Sequence, residues 1–406
     1  MPTTDLPLFD DAILADPYPA YHALRTTGAA VHLSRYGVWA VSRHADVAAV
    51  LKDPTAFGSE DGIALTPLAN EQVLAGTVLA SDGARHTALR RVLSQQLAPR
   101  AMRGPGGRVA ARADHLVAAS LESGRFDAVA LASDMVCGTV MELMGLPDTD
   151  RETLLAGAAA TFDVFGPDNQ RYQRALPLAS RMVEMLHENL TRENVERGTW
   201  MGAVFKAVDA GQIAESDAIP LASAYVAASI DTTVLGLASC IVQLARNPAQ
   251  WEILRRDPIR WSLPAFHEAL RLEAPIQGLG RLLNQPADIG GVRLAEGEQV
   301  WLLYGSAGRD ERRWGYDAHH YSIRRPRPEQ HLAFGAGPHL CAGIALAELQ
   351  ARSVLRALAA RCTRLHLDSS PVPILHNLLR GYRSAPVTAR LAPGPQPRPV
   401  RQEGTS

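Results

Sequence analysis

Apolar residues recur at spacings of three and four along most of the chain. Those runs predict helices at residues 84–98, 107–122, 150–160, 171–192, 220–246, 263–273 and 343–361. Pro99, Pro147, Pro248, Pro258 and Pro275 each follow such a run and mark its end. Strand signals are few and short: AAVHLSR and VWAVSR near 29–43, DIGGVRLAEG and QVWLLYG near 288–305, and a pair near 363–391. Helices in the majority, with strands gathered toward the two ends, make the expected fold class α+β and mostly α-helical. No internal repeat and no linker composition divides the chain. Residues 1–392 therefore read as one domain, although the length of 406 residues alone suggests about two to four. Residues 393–406 are Pro-rich and polar and are expected to form a disordered tail.

Composition narrows the function classes. An apolar fraction of 47% with 20% charged residues is ordinary for a globular protein. A formal net charge of −1 argues against nucleic acid as the main partner, because neutralising phosphates needs a clustered surplus of basic charge. Lysine occurs only at Lys52 and Lys206, so arginine carries nearly all the positive charge. The segment from Leu221 to Ala245 is long enough to cross a bilayer and has Asp231 as its only charge. Its Ala, Ser and Thr content, its central carboxylate and its missing aromatic and basic flanks favour a helix buried in protein, with no membrane span. The N-terminus lacks the basic and apolar regions of a signal peptide, and Cys137, Cys240, Cys341 and Cys362 are too scattered for a disulfide framework. A reduced, cytoplasmic location is expected.

The densest chemistry lies in Phe334-Gly335-Ala336-Gly337-Pro338-His339-Leu340-Cys341-Ala342-Gly343, directly before a helical run. The glycines permit close approach of the backbone, and the loop delivers one cysteine to a helix N-terminus. Unpaired N–H groups and the helix dipole favour a thiolate there, which can serve as nucleophile or metal ligand. Cys137, Cys240 and Cys362 have no such setting and read as buried packing residues. Asp231 and Thr232, within an otherwise apolar helix with Ala228 and Ser229 one turn before, need a partner or a task. Glu268 and Arg271 lie three apart on one predicted helix face. His86 and Arg90 lie four apart on another.

The cysteine loop resembles the haem-binding loop of cytochromes P450, and every fixed position of F-G-x-G-x-H-x-C-x-G is filled. The other signatures of that family follow in order along nearly the whole chain. The resemblance implies a haem b cofactor (iron protoporphyrin IX), with Cys341 as the iron's thiolate ligand and Phe334 in the loop around it. It implies that His86, Arg90, Arg281 and His339 hold the haem propionates. It implies that Asp231 and Thr232 deliver protons, that Ala228 leaves room above the iron, and that Ser229 stands where the family usually has glycine. Glu268 and Arg271 match its E-x-x-R pair, which joins a third arginine in a structural network. Arg325 fits that place and Arg324 is its alternative.

Substrate contacts by the same resemblance fall to Phe162, Phe165, Ile276, Leu279 and Leu378. Segments such as LLYGSAGRDE and HNLLRGYRSAPV look similar to bacterial P450s that oxidise small substituted benzoates, which hold the carboxylate with a basic residue before the His86 helix. Residues 60–80 here contain Glu60, Asp61 and Glu71 but no Arg or Lys. The expected substrate is therefore a small or medium apolar molecule, aromatic rather than anionic, attacked by O2-derived oxygen in a hydroxylation or O-dealkylation. No flavin, iron–sulfur or nicotinamide motif occurs, so electrons are expected from a ferredoxin or flavodoxin and its NAD(P)H-dependent reductase. Oxidative coupling or peroxide-driven oxidation, and a haem sensor without catalysis, are the competing readings.

Overall fold

A computed structural model describes residues 1–147 and 151–392. The tail expected at 393–406 lies outside those residues, as does the first residue of the helix expected at 150–160. The remaining predicted helices appear as Gly83–Leu97, Arg103–Ser120, Arg151–Asp163, Gln170–Asn189, Ala218–Arg246, Pro258–Leu272 and Ile344–Arg361. Pro248 and Pro258 do more than end the preceding helix. Each occupies the first position of the next one, where its missing N–H costs nothing.

The pattern missed one central element, Ala128–Met144. Asp127 caps its start by accepting from Val129 N at 2.8 Å and Ala130 N at 3.1 Å, and Gly145 ends it at φ 81°. Its buried residues lie on every side of the helix, so no polar face marks the helical period. This helix packs against both Ala218–Arg246 and Arg103–Ser120.

Ala218–Arg246 is the axis of the larger core. With the turn before it, it is long and apolar enough to cross a membrane, yet 78% of its most apolar window is buried inside the protein. From Val234 to Ala245 every side chain is buried. Its first half differs from the expectation of burial all round, because Ala224, Ala228, Ser229 and Thr232 face an internal cavity.

A six-stranded sheet flanks the helices in the order Thr3–Thr4, Ala30–Leu33, Val38–Val41, Gln299–Leu303, Gly278–Leu283, Phe57–Gly58. A smaller sheet joins Cys362–Leu367, Pro386–Leu391 and Arg125–Asp127. The expected strands are present, but Gly278–Leu283 was not foreseen: the sequence GLGRLL does not alternate. Pairing defines it, with Leu279 opposite Leu302 and Arg281 opposite Val300. The loop at 62–64 covers its far side so closely that a Cβ on Gly280 would stand 2.2 Å from Gly62 O.

One buried ion network ties helix to loop. Arg271 donates from Nε to Glu268 Oε2 at 2.7 Å and from Nη2 to Oε1 at 2.9 Å. Its other bonds go to the carbonyls of Gly308, Ala318 and His320. Arg325 donates from Nε to Glu268 Oε1 at 2.9 Å and also holds Asp317, whereas Arg324 stacks over Trp261 at 6.0 Å. Glu268 and Arg271 are both fully buried. Removing one partner strands a buried charge, so Arg271→Ala is expected to cost roughly 3–5 kcal/mol. Guanidinium unfolding checks this, and an unchanged midpoint would contradict it.

Candidate functional site

The internal cavity, about 580 Å³, lies between the first half of Ala218–Arg246 and the Cys341 loop. The loop reaches it through two backbone accommodations. Cys341 N donates to Phe334 O at 2.9 Å, closing the loop on itself. Gly337 adopts φ 68° where a Cβ would stand 2.1 Å from Leu51 O, so only glycine fits. Cys341 Sγ faces the cavity and accepts from Gly343 N at 3.3 Å. Burial pushes its thiol above the ordinary value, while the N–H groups of Gly343 and Ile344 and the Arg90 charge oppose that shift. The chain thus offers one thiolate position, at the start of Ile344–Arg361.

Basic side chains gather beside it. Arg90, Arg281 and His339 line the cavity, and His86 stands behind His339 with ring centroids 4.3 Å apart. Arg281 is 3% exposed, and among the described residues its guanidinium bonds only Gly280 O, at 2.7 Å. Arg90 Nη2 donates to Leu340 O. Neither guanidinium has a carboxylate partner among the described residues. His86 Nε2 is buried without any partner. His339 Nε2 lies 3.4 Å from Asp82 Oδ1, and burial followed by the Arg281 charge pushes its imidazole down to about 4. Burial also lowers His86. Buried cations without anions are costly unless a bound group supplies the negative charge.

Opposite the thiolate, Ala218–Arg246 runs through Ser229 as unbroken α-helix. Ala228, Ser229 and Thr232 form one stripe on the cavity wall, and Thr232 Oγ1 donates back to Ala228 O at 2.7 Å. Asp231, one residue away, points off that stripe and is not on the wall. Its Oδ2 is buried without a hydrogen-bond partner, and burial raises the carboxyl to about 7. Tyr225 belongs to the cavity stripe but was not singled out from sequence, although its spacing of three to Ala228 and four to Ser229 identifies the same face.

Mainly apolar residues complete the wall, with Thr161, Ser180, Glu184, His187 and Ser223 among them. Phe162 and Phe165 pack edge to face at 5.7 Å, and both line the cavity with Ile276 and Leu279. Leu378 does not. The turn at His376, whose Nδ1 accepts from Leu378 N and Leu379 N, aims the Leu378 carbonyl at Gln277 N, and Leu378 is buried off the cavity wall. Residues 72–75 and 77–79 contribute backbone and mainly apolar side chains to the wall, with no cation.

Because the folded Asp231 carboxyl ionises near 7 and the unfolded one near 3.8, the unfolded chain releases a proton between those pH values that the folded chain keeps. Wild type should lose stability relative to Asp231→Asn as pH rises from about 4 to about 7, by something on the order of 1–4 kcal/mol. Denaturant titrations of both proteins across that range test it, and parallel stability curves would refute it.

Comparison with known proteins gives a consistent result. A family model described as Cytochrome P450 matches residues 264–384. Cytochrome P450 CYP199A2 of Rhodopseudomonas palustris is 35% identical over 377 residues, covering 92% of this chain and 91% of that protein. Cytochrome P450 monooxygenase PikC of Streptomyces venezuelae is 32% identical over 403 residues, covering 96% and 95%. The crystal structure of Mycobacterium smegmatis CYP164A2 in its ligand-free state superposes with a TM-score of 0.85 at 25% identity, covering 95% of this chain and 99% of that one.

Proposed function

Since this chain belongs to the cytochrome P450 family and is a haem-dependent oxidoreductase, we propose that it inserts one O2-derived oxygen atom into a small, neutral, apolar and aromatic substrate, by hydroxylation or O-dealkylation. The observation that carries the reading is the placement of one thiol and two guanidinium groups without carboxylate partners, Arg90 and Arg281, around one mainly apolar cavity. Haem, when bound, supplies the activation of dioxygen and the transfer of oxygen. The residues present fit it: a dianionic group answers the unpaired Arg90 and Arg281, and the orphaned His86 Nε2.

The side chains divide the remaining work. Cys341 ligates the iron as thiolate, with the Gly343 N–H directed at its sulfur. Arg90 and Arg281 neutralise the two propionates, and His86 and His339 complete their hydrogen bonds. Asp231 holds a proton at Oδ2, available near neutral pH because of its raised value. Thr232 Oγ1, on the cavity face of the same turn, passes protons inward. Ser229 adds a second hydroxyl beside it.

Phe162, Phe165, Ile276 and Leu279 hold the substrate by apolar contact. No cation lies on the wall contributed by residues 72–79, which favours a neutral ring over a carboxylate. Electrons come from a ferredoxin or flavodoxin and its NAD(P)H-dependent reductase. Arg103, Arg352 and Arg356 on an open groove beside the Cys341 helix suit an acidic carrier. Residues 1–392 act as one domain around the cofactor, in the cytoplasm.

Reduced protein with carbon monoxide is expected to show the red-shifted Soret band of a thiolate-ligated haem. A Cys341→Ala variant that kept the band would overturn the assignment. Thr232→Ala is expected to lower product formed per NADPH consumed by about 10-fold or more while electron uptake continues. Unchanged coupling removes Thr232 from proton delivery. Neutral aromatics are expected to shift the haem to high spin more strongly than benzoates, and the reverse order would refute the substrate class.

A further inference from the structure

Outside the cavity, three titratable side chains form a continuous hydrogen-bonded chain: His331, His267 and Glu348. His331 Nδ1 accepts from Ala333 N at 3.1 Å, so its proton sits on Nε2. Nε2 then donates to His267 Nδ1 at 3.2 Å, which leaves the His267 proton on its own Nε2. That nitrogen donates to Glu348 Oε1 at 3.0 Å. Every proton is thereby fixed, and the chain runs in one direction.

Its endpoints give it meaning. Ala333 immediately precedes Phe334, whose carbonyl accepts from Cys341 N. Glu348 lies in the second turn of Ile344–Arg361, the helix that leaves the loop. The middle member, His267, is next to the buried Glu268 on the rigid helix Pro258–Leu272. Both shoulders of the Cys341 loop are thus tied to one imidazole. Phe334 is enclosed by the same rings, 5.3 Å from His331 and 6.1 Å from His267. His267 and His331 are 7% and 4% exposed, so solvent does not compete for the bond between them, whereas Glu348 is only half-buried.

We infer that His267 is a positioning residue for the Cys341 thiolate, holding the entering and leaving ends of its loop in register through His331 and Glu348. The inference rests on the haem–thiolate reading above. It assigns a task to three residues that lie across 64 and 81 positions of sequence and do not line the cavity.

His267→Phe in the holoenzyme keeps a ring against Phe334 and removes both hydrogen bonds. Outer-shell partners of a metal ligand are commonly worth about 10–100-fold, so the carbon monoxide complex of this variant is expected to convert from the thiolate to the thiol band at least about 10-fold faster in mild guanidinium. Glu348→Gln retains an acceptor oxygen and should convert at the wild-type rate, whereas Glu348→Leu should follow His267→Phe. Conversion of His267→Phe at the wild-type rate overturns the inference. So does acceleration matched by an equal rise in global unfolding rate, followed by far-ultraviolet circular dichroism. A wild type lacking the thiolate band would instead overturn the haem–thiolate reading, and this inference with it.

Discussion

Glu268 is a fully buried carboxylate that receives two guanidinium groups, and the geometry of the thiol side of the cavity follows from that arrangement. Arg271 reaches from the same helix to the carbonyls of Gly308, Ala318 and His320. Arg325 closes the network from the far end of that irregular stretch. A segment with little regular secondary structure is therefore pinned by charge-assisted bonds where no backbone ladder is available. The Cys341 loop begins a few residues later and inherits this fixed starting point. Desolvating three charges is expensive, and the return is positional certainty rather than net stability.

The helix Ala218–Arg246 resolves a conflict between packing and chemistry. Its second half is wholly buried and behaves as core. Its first half turns one stripe to the cavity, where small residues leave volume and the Thr232 hydroxyl bonds the carbonyl of the preceding turn. Asp231 sits off that stripe, so its carboxyl bears the full effect of burial without the solvation that the cavity would give. The helix tolerates this because everything around it is already fixed.

What could be read from the sequence was what is local. The glycine spacing around Cys341, the His86–Arg90 spacing and the Glu268–Arg271 spacing each lie within one turn or one loop, so their residue types carry their geometry. Ala128–Met144 was hidden because apolar residues lie nearly all round it, leaving only Asp134 and Glu142 as charged residues to mark an outer side. Gly278–Leu283 was hidden because its strand character arises from pairing with 299–303 and from the Gly62–Gly280 approach. Leu378 lies off the cavity wall, and the sequence carries no sign of the turn at His376 that sets its backbone. The His331–His267–Glu348 chain could not be seen at all, since its members meet only after the fold has formed.

The strand Gly278–Leu283 brings Leu279 and Arg281 to the same cavity two residues apart. Side chains alternate along a strand, so both face inward only in one register. A single inserted or deleted residue between Pro275 and Leu279 would turn the pair outward together and bring Gly280, with no side chain, to the wall. Evolution or design can therefore vary the identity of residue 279 freely, but the length of this segment is fixed. Changes in what the cavity accepts are confined here to substitution.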